Sequence, residues 1–488
     1  MDKGIYSLFP NNHYLKGEVT VFLSLIFLLL MSFIGSIIQA TNIKMSMSEK
    51  RADVNRGIES VFAEWQKDLY EKYDIFALDL TYEGKEEDEK SIIERLDFFT
   101  GFNSDGDVKG IRYLTDNNGQ EFYEAACKWT SHKYGLDFVD KNNTVSDSLK
   151  GFTDLIPNIE GDNTKNLGEV DDILAENETS LPSKDNPIAS VSLFKSAPLL
   201  SLVLPKEMEV SKKTIDKSGV VSERNLRTGY GEIQEEQKGN KLFLITYLLA
   251  HFNSFVANEK SSSSLDLEKD EEISEINEKE EDKVLDYELE YLLEGKESDA
   301  SNLQAVCGKI LALRTVPNFL YLSSDQTKIA EARTAAVALS SLVALPAISE
   351  GVTWGIIAAW AFGESIIDIR NLLSGRKVPL TKTAETFSLT LTNLYKLAKG
   401  NSKNSESYYG KESKSGNTYE DYLKFFLLAE GEGNMSMRSL DLIEKNLNLI
   451  EDKEYIKMDN MVSKINISST VKTLNLRTYK FKTYYGYR

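Results

Sequence analysis

The chain has 488 residues, of which 41% are hydrophobic and 27% are charged, a composition that supports a globular body with a buried core. Its net charge of −19 excludes a general nucleic-acid binder, because such a protein needs a basic surface to displace counterions from phosphates. The same charge argues against peripheral binding of the whole body to anionic lipid, which would repel an acidic face. We therefore predict no nucleic-acid partner.

Uncharged residues 19–43 follow a short N-terminal tail, residues 1–18. A helix needs about 20 apolar residues to cross the hydrocarbon core of a bilayer, and this run is long enough. Large apolar side chains make up the predicted transmembrane anchor: Val19, Phe22, Leu25, Phe27, Leu29, Phe33 and Ile37. A cleaved secretory signal is the alternative, although the apolar region of such a signal is normally shorter.

Small residues recur within this run at three- or four-residue spacing, at Ser32, Gly35, Ser36 and Ala40. In lipid, helices associate through such residues, because they let two backbones approach closely. The sequence therefore predicts two kinds of partner for this helix, the lipid bilayer and other membrane proteins.

The basic residues that flank the apolar run leave its orientation open. Two precede the run and four follow it: Lys3, Lys16, Lys44, Lys50, Arg51 and Arg56. Counted literally, this excess favours a cytoplasmic body, but long domains often translocate regardless of flanking charge.

Residues 44–80 predict an amphipathic stalk helix that continues directly from the membrane. Apolar side chains recur there at spacings of three and four, which indicates one buried helix face. This stalk face comprises Val54, Ile58, Val61, Phe62, Trp65, Leu69 and Tyr73. Since no proline interrupts residues 19–73, we expect one unbroken helix.

The middle of the chain divides into three segments. Residues 81–240 predict an irregular α/β region with mobile loops, and Asn118-Gly119 indicates a turn. Residues 241–260 predict a buried helix that places His251 in the core. Residues 261–284 form an acidic block that repels itself, which predicts a mobile loop.

Residues 285–450 predict a helical domain in which Pro317 ends a helix. Residues 335–345 and 352–362 are the most apolar stretches after the anchor, with Pro346 between them. We interpret them as a buried helical hairpin, and a second membrane hairpin is the alternative.

Glu364 and Asp368 lie four residues apart, so they share one face of a helix. Two explanations stay open for this carboxylate pair. Salt bridges to Arg370, Arg376 or Arg333 are favoured, while an enzyme would need both groups in one solvent-filled cleft.

Residues 451–488 predict a C-terminal strand segment, because apolar and polar residues mostly alternate from residue 471 to residue 484. The basic residues near this end are expected to interact electrostatically with the acidic surface of the body. The predicted fold class is α+β: a long N-terminal helix, a largely helical C-terminal half, and small β elements in the middle and at the C-terminus.

Residues able to hold metals or do covalent chemistry are scarce. The histidines are His13, His132 and His251, and the cysteines are Cys127 and Cys307. Zinc sites and catalytic triads need such residues in groups, so we predict no metal, no cofactor and no catalytic residue. Pairing of the two cysteines stays open, because the sequence cannot test its geometry.

Several stretches resemble one family of membrane-anchored proteins from Gram-positive bacteria. The resemblance covers residues 16–80 and 241–465, and seven stretches carry it: residues 16–25, 61–76, 285–296, 318–322, 360–365, 377–380 and 419–423. Members accompany the tight-adherence (Tad, or Flp) pilus and related type II secretion machinery. The resemblance implies a non-enzymatic, pseudopilin-like accessory component whose body lies outside the cell and whose partners are pilus or secretion components.

The start of the apolar run departs from the Tad pseudopilin pattern. Those proteins carry a glutamate at the fifth position after a processing glycine. If processing followed Gly17, that position would be Phe22, and a glutamate stands instead at Glu18. Pseudopilin processing is therefore not predicted. Two alternatives to the accessory role stay open: an envelope ectoenzyme that uses the carboxylate pair, and a membrane-anchored sensor.

Overall fold

The computed structural model describes residues 15–82, 88–135, 197–205, 208–233, 239–257, 283–342, 349–398, 409–411, 413–472 and 478–487. Nearly all of the predicted acidic loop, and Pro346, lie outside the described residues. The N-terminal part contains α1 (Leu15–Phe62), α2 (Lys67–Tyr73), β1 (Leu78–Asp79), α3 (Lys90–Thr100), β2 (Asp107–Tyr113) and α4 (Asp116–Tyr134). The helical body contains α5 (Leu199–Val203), α6 (Lys241–His251), α7 (Glu288–Glu294), α8 (Asp299–Ser324), α9 (Gln326–Leu342), α10 (Ser349–Leu373), α11 (Leu391–Ala398), α12 (Tyr419–Ala429) and α13 (Glu432–Leu447). Two strands follow, β3 (Met461–Lys472) and β4 (Thr478–Gly486).

The predicted α+β class is confirmed, and the sheet joins distant parts of the chain. Strand β3 is central and antiparallel to every neighbour. Strand β2 pairs with β3 along one edge, while β1 and β4 share the other edge. The N-terminal strands therefore close a sheet with strands that follow them by about 350 to 400 residues in the printed sequence.

The predicted C-terminal strand was wrong in its bounds. Residues 471 and 472 end β3, residues 473–477 lie outside the described part, and β4 begins at Thr478. The two strands pair from Lys464↔Gly486 to Lys472↔Thr478. The alternating pattern therefore spans the end of one strand and most of the next.

The single stalk helix was also wrong, because α1 ends at Phe62. The backbone N–H of Gln66 donates to the carbonyl of Ala77 at 2.8 Å, and the Gln66 side chain caps α2 by accepting from Asp68 N at 3.1 Å. These bonds hold a turn between α1 and α2. Trp65 lies in that turn, outside both helices, and is 38% exposed.

The predicted stalk face consequently divides between two cores. Val54, Ile58, Val61 and Phe62 are fully buried against the sheet and α3. Apart from Trp65, which lies in the turn, the other stalk-face residues belong to the large core of the helical body: Leu69 and Tyr73. Helix α1 therefore supports the sheet, and α2 supports the helical body.

Close packing of α1 on α3 depends on Gly57. A Cβ atom at this position would lie 2.7 Å from Thr100 Cγ2 and 2.9 Å from Leu96 Cδ1. The missing side chain of Gly57 therefore permits the contact between the two helices. Gly119 is similarly constrained: its φ is +76°, and a Cβ there would lie 2.8 Å from Ser436 Cβ. The turn predicted at Asn118-Gly119 is confirmed as a left-handed start to α4.

Helices α8 and α10 form the centre of the helical body. Pro317 lies inside α8, which continues to Ser324, so the predicted helix end there was wrong. Helix α10 packs on α8 and α9, and 89% of its most apolar window is buried. The predicted hairpin corresponds to the pair α9 and α10. Helix α10 is buried, which leaves no reason to place it in a membrane, whereas α9 is buried on one side only, with Val337 49% exposed.

Helix α6 is buried as predicted, but it ends at His251. The Nδ1 atom of His251 lies 3.0 Å from the carbonyl of Tyr247, and its Nε2 atom lies 3.2 Å from Asp74 Oδ2. Trp129 packs against the imidazole ring at 4.6 Å between ring centroids. Both ring nitrogens have protein partners, which fits the predicted core histidine.

Candidate interaction surface

The N-terminal part of α1 is an apolar helix that the rest of the protein leaves uncovered. Its large apolar side chains from Val19 to Ile38 are 37% to 68% exposed. The most apolar window has a mean hydropathy of 2.7, and none of it is buried. All seven predicted anchor residues, Val19, Phe22, Leu25, Phe27, Leu29, Phe33 and Ile37, are among these exposed side chains. A helix of this length and composition is typical of a membrane anchor or a signal sequence.

Three hydroxyl groups within this helix donate to backbone carbonyls of the same helix, an arrangement that suits a lipid environment. Ser36 Oγ donates to the carbonyl of Ser32 at 2.9 Å, and Thr41 Oγ1 donates to that of Ile37 at 2.9 Å. These hydroxyl groups therefore donate their hydrogen bonds to backbone carbonyls of the same helix.

The predicted packing residues lie on one open face of α1. Ser32, Ser36 and Ala40 are four residues apart, and Gly35 lies between the first two. No atom lies within 4 Å of a Cβ built on Gly35, so this face is accessible to a second helix. The structure places these residues on one helix face, and no second helix among the described residues packs against that face.

The carboxylate pair of α10 lies in a buried ion cluster, which comprises Arg314, Glu364, Asp368 and Lys382. Lys382 Nζ lies 2.7 Å from Glu364 Oε1 and 2.6 Å from Asp368 Oδ1. Arg314 donates to Asp368 Oδ2 through Nε at 3.0 Å and Nη2 at 2.9 Å. Both carboxylates are 0% exposed. They do not face a solvent-filled cleft, which removes them as candidates for the enzymatic alternative.

The partners of this pair differ from those that were favoured. Arg370 lies two residues after Asp368, which turns it to another side of α10, and its Nε donates to the carbonyl of Leu202 at 2.6 Å. Arg376 lies over the ring of Tyr409, and Arg333 is exposed. The salt-bridge explanation was therefore right about the interaction and wrong about the three arginines.

Burial alone raises the pKa of Asp368, but Arg314 and Lys382 outweigh it and hold the pKa below its ordinary value. Burial likewise lowers the pKa of Lys382, and the two carboxylates overcome that effect and raise it. Burial raises the pKa of Glu364, although Lys382 opposes this effect. The charge of the cluster is therefore carried by Asp368 with Arg314 and Lys382.

A family profile matches residues 177–473, which is more than half of the chain. The profile describes a family of unknown function, DUF5702. The chain belongs to this family. No curated protein and no solved structure matches the chain.

The DUF5702 region begins before α5 and ends at the close of β3, so α1 to α4 lie outside it. It includes the whole second part of the predicted resemblance, residues 241–465. The first part, residues 16–80, which carries the apolar run, lies outside the match. Family membership is thus established for the helical body alone.

Several stretches that carry the resemblance meet around the ion cluster of this DUF5702 protein. Asn318 Nδ2 donates to Ser365 Oγ at 2.9 Å, which joins residues 318–322 to residues 360–365. Arg314 Nη1 donates to the carbonyl of Leu380 at 2.8 Å and lies 3.5 Å from Tyr422 Oη. Two further stretches, residues 377–380 and 419–423, thereby reach the same cluster. These stretches therefore supply hydrogen-bond partners around the buried charges.

Another buried carboxylate joins α7 to two other segments. Glu290 Oε1 accepts from Phe255 N at 3.0 Å and from Tyr419 Oη at 2.8 Å. Its Oε2 atom is buried without a hydrogen-bond partner among the described residues. Burial raises the pKa of Glu290 from its ordinary 4.5 to about 7. The acid is therefore largely protonated at pH 6 in the folded protein.

This raised pKa predicts a pH dependence of stability. Between pH 4.5 and pH 7 the folded protein retains a proton that the unfolded chain has lost, so stability falls as the pH rises through this window. Replacing Glu290 by glutamine removes this contribution. The stability of the variant relative to the wild type should rise from pH 5 to pH 8 by at most about 3 kcal/mol. Urea unfolding of the detergent-solubilised proteins at both pH values measures it, and an unchanged difference would contradict the buried acid.

The two cysteines are buried and unpaired. Burial raises the pKa of Cys127 to about 12 and raises that of Cys307 as well. Neither thiol is therefore ionised at neutral pH, as a nucleophile or metal ligand would need to be. The described residues contain no group of His, Cys, Asp and Glu side chains suited to a metal ion.

Proposed function

We propose that this protein is a membrane-anchored, pseudopilin-like accessory or structural component of a Tad-type pilus or secretion apparatus, without enzymatic activity. The observation that carries the proposal is the uncovered apolar part of α1, residues 19–43. A folded body that leaves such a helix exposed needs another apolar environment for it. A bilayer supplies that environment, and the face with Gly35 supplies a contact for a second transmembrane helix.

The link to the Tad machinery rests on the resemblance of residues 16–25 and 61–76. Helix α1 fits a pseudopilin-like role, since it runs from the proposed membrane segment into the folded body, from Leu15 to Phe62, and places its last turns under the sheet. Glu18 does not occupy the position of the pseudopilin glutamate, so the proposed role is accessory and does not require processing after Gly17.

The proposed location of the body is the outer face of the cell membrane, with one transmembrane pass. The competing placement is a cytoplasmic sensor, which the basic residues after the apolar run favour. External protease applied to intact protoplasts distinguishes the two. Loss of the body while α1 remains in the membrane supports the outer placement, and full protection supports the sensor.

A photocrosslinker placed in α1 tests the partner. At Ser36 it would lie on the small-residue face, whereas at Ile34, about 200° around the helix, it would face the opposite side. We expect capture of a pilus or secretion component from Ser36 and weaker or no capture from Ile34. Capture of no such component from Ser36, in cells that make the apparatus, would overturn the accessory role.

A further inference from the structure

The hairpin of β3 and β4 lies along α1. The residues that end β3 and begin β4 are on the side of the apolar run. Tyr487 Oη donates to the carbonyl of Phe62 at 2.7 Å, near the C-terminal end of α1. Thr483 Oγ1 lies 3.2 Å from Asn55 Oδ1, two turns closer to the membrane segment. Strand β4 is therefore parallel to α1, and its first residues lie nearest to the bilayer.

The length of the strand brings this end of the hairpin to the end of the apolar run. From Thr483 to Thr478 the strand covers about 16 Å at 3.3 Å per residue. The same distance equals about 11 residues of helix, counted from Asn55 towards the N-terminus. This places Thr478, and its partner Lys472, level with Lys44, the first charged residue after the apolar run.

The loop after α3 reaches the same end of the molecule. Lys50 Nζ lies 3.9 Å from the centre of the Phe102 ring, and Ser104 accepts a hydrogen bond from Thr470 N at 2.9 Å. Phe102 is partly buried, as is Tyr479 on β4. Aromatic side chains at this level are typical of the membrane–water interface.

Basic side chains are concentrated and exposed here, although the protein as a whole is acidic. The hairpin end, as we define it, comprises five exposed cations: Lys44, Arg51, Lys472, Lys480 and Lys482. No ion pair joins any of them to another described residue. Acidic groups at this level mostly have partners: Asp53 pairs with Arg56, Asp107 pairs with Lys109, and Asp97 accepts from Ser104 N at 2.8 Å. Glu49 and Asp105 are exposed.

The position of these lysines corrects one sequence-based expectation. The basic residues near the C-terminus were expected to interact electrostatically with the acidic surface of the body. Lys464, on the other half of β3, does so, because its Nζ lies 2.9 Å from Glu121 and 2.7 Å from Glu124. Lys480 and Lys482 instead alternate with the buried Phe481 and Thr483 and project from the outer face of the hairpin.

We infer that the hairpin end binds the anionic headgroups of the bilayer that holds α1. The inference rests on the proposed membrane anchoring, which sets these cations at headgroup level. Flexible lysines on an open face fit mobile phosphate groups better than one shaped ligand. Two attachments, the buried helix and the charged hairpin end, would then hold the sheet against the membrane. The acidic helical body would be directed away from the anionic surface.

Lysine labelling in lipid nanodiscs tests this contact. The full-length protein is placed in discs of phosphatidylcholine alone, and in discs that also contain anionic phosphatidylglycerol. An amine-reactive label followed by mass spectrometry then reports each lysine. We expect labelling of Lys472, Lys480 and Lys482 to slow about threefold or more in the anionic discs and to recover at high salt. Lys67, the first residue of α2, has a side chain that is 77% exposed; it is the internal control and should not change.

A charge-reversed variant sharpens the test. Replacing Lys480 and Lys482 together by glutamate should abolish the lipid-dependent protection of Lys472, whereas Lys67→Glu should leave it intact. Equal labelling of the wild type in both kinds of disc would overturn the lipid contact while leaving the anchor in place. Failure of α1 to insert is detected separately, as loss of the protein from the discs at alkaline pH. That result would overturn both the proposed membrane anchor and the lipid contact of the hairpin end.

Discussion

Replacing Asp368 by asparagine is expected to lower the free energy of unfolding by about 3–5 kcal/mol. The variant leaves Arg314 and Lys382 as buried cations without their shared negative partner. Glu364 then remains as the carboxylate of the cluster, and of the two cations it contacts Lys382 and not Arg314. Removing one partner of a buried ion pair costs far more than the pair contributes, because the remaining charge cannot reach water.

The matched control is an exposed ion pair. Lys67 and Glu71 lie 3.3 Å apart, with side chains that are 77% and 56% exposed. Glu71→Gln should change the stability by less than about 0.5 kcal/mol, since solvent screens such a pair. Chemical unfolding of the detergent-solubilised proteins, followed through the fluorescence of the buried Trp360, measures both variants. Equal stability of Asp368→Asn and the wild type would show that Asp368 is not charged in the folded protein.

Replacing Leu25 and Leu29 together by arginine is expected to release α1 from the membrane. Each arginine near the centre of a spanning helix costs about 3 kcal/mol on the insertion scale, so the pair costs about 6 kcal/mol. Neither side chain packs against the folded body, because both are more than half exposed. The substitutions therefore act on insertion and leave the fold of the body intact.

The control replaces the same two leucines by isoleucine, which preserves the apolar character of the helix. Carbonate extraction of membranes, followed by detection of the body, gives the retained fraction. The isoleucine variant should stay in the membrane, and the arginine variant should move to the soluble fraction. A soluble wild-type protein that retains its N-terminus would contradict the anchor, and a soluble protein that lacks it would indicate a cleaved signal.

Long apolar patterns made α1 and the buried hairpin of α9 and α10 predictable, because periodicity and charge-free runs are local properties. The break after Phe62 was not predictable from such patterns. Ala63, Glu64 and Gln66 are all compatible with a helix, and the turn depends on the hydrogen bond from Gln66 to Ala77. Pro317 gives the opposite case, since a strong local signal was overridden by burial of α8 on both sides of it.

The ion cluster illustrates why the site was only half predictable. That Glu364 and Asp368 share a helix face follows from their spacing. Their cationic partners do not follow from spacing, because Arg314 and Lys382 come from elements 54 and 14 residues away from Asp368. Helix geometry alone, however, disfavours Arg370, which lies two residues from Asp368. The hairpin end was missed for a similar reason, since only the strand register sets Lys472 beside the start of β4.

The sheet has a consequence for biosynthesis. Its central strand is translated about 400 residues after α1. While the helical body is being made, β1 and β2 have no β3 to pair with, and α1 packs on α3 without the rest of the sheet. During that interval Val54, Ile58 and Val61 are open to wrong contacts. A ribosome that stops before Met461 would thus leave an inserted chain with unpaired strand edges, a form that cellular proteases recognise.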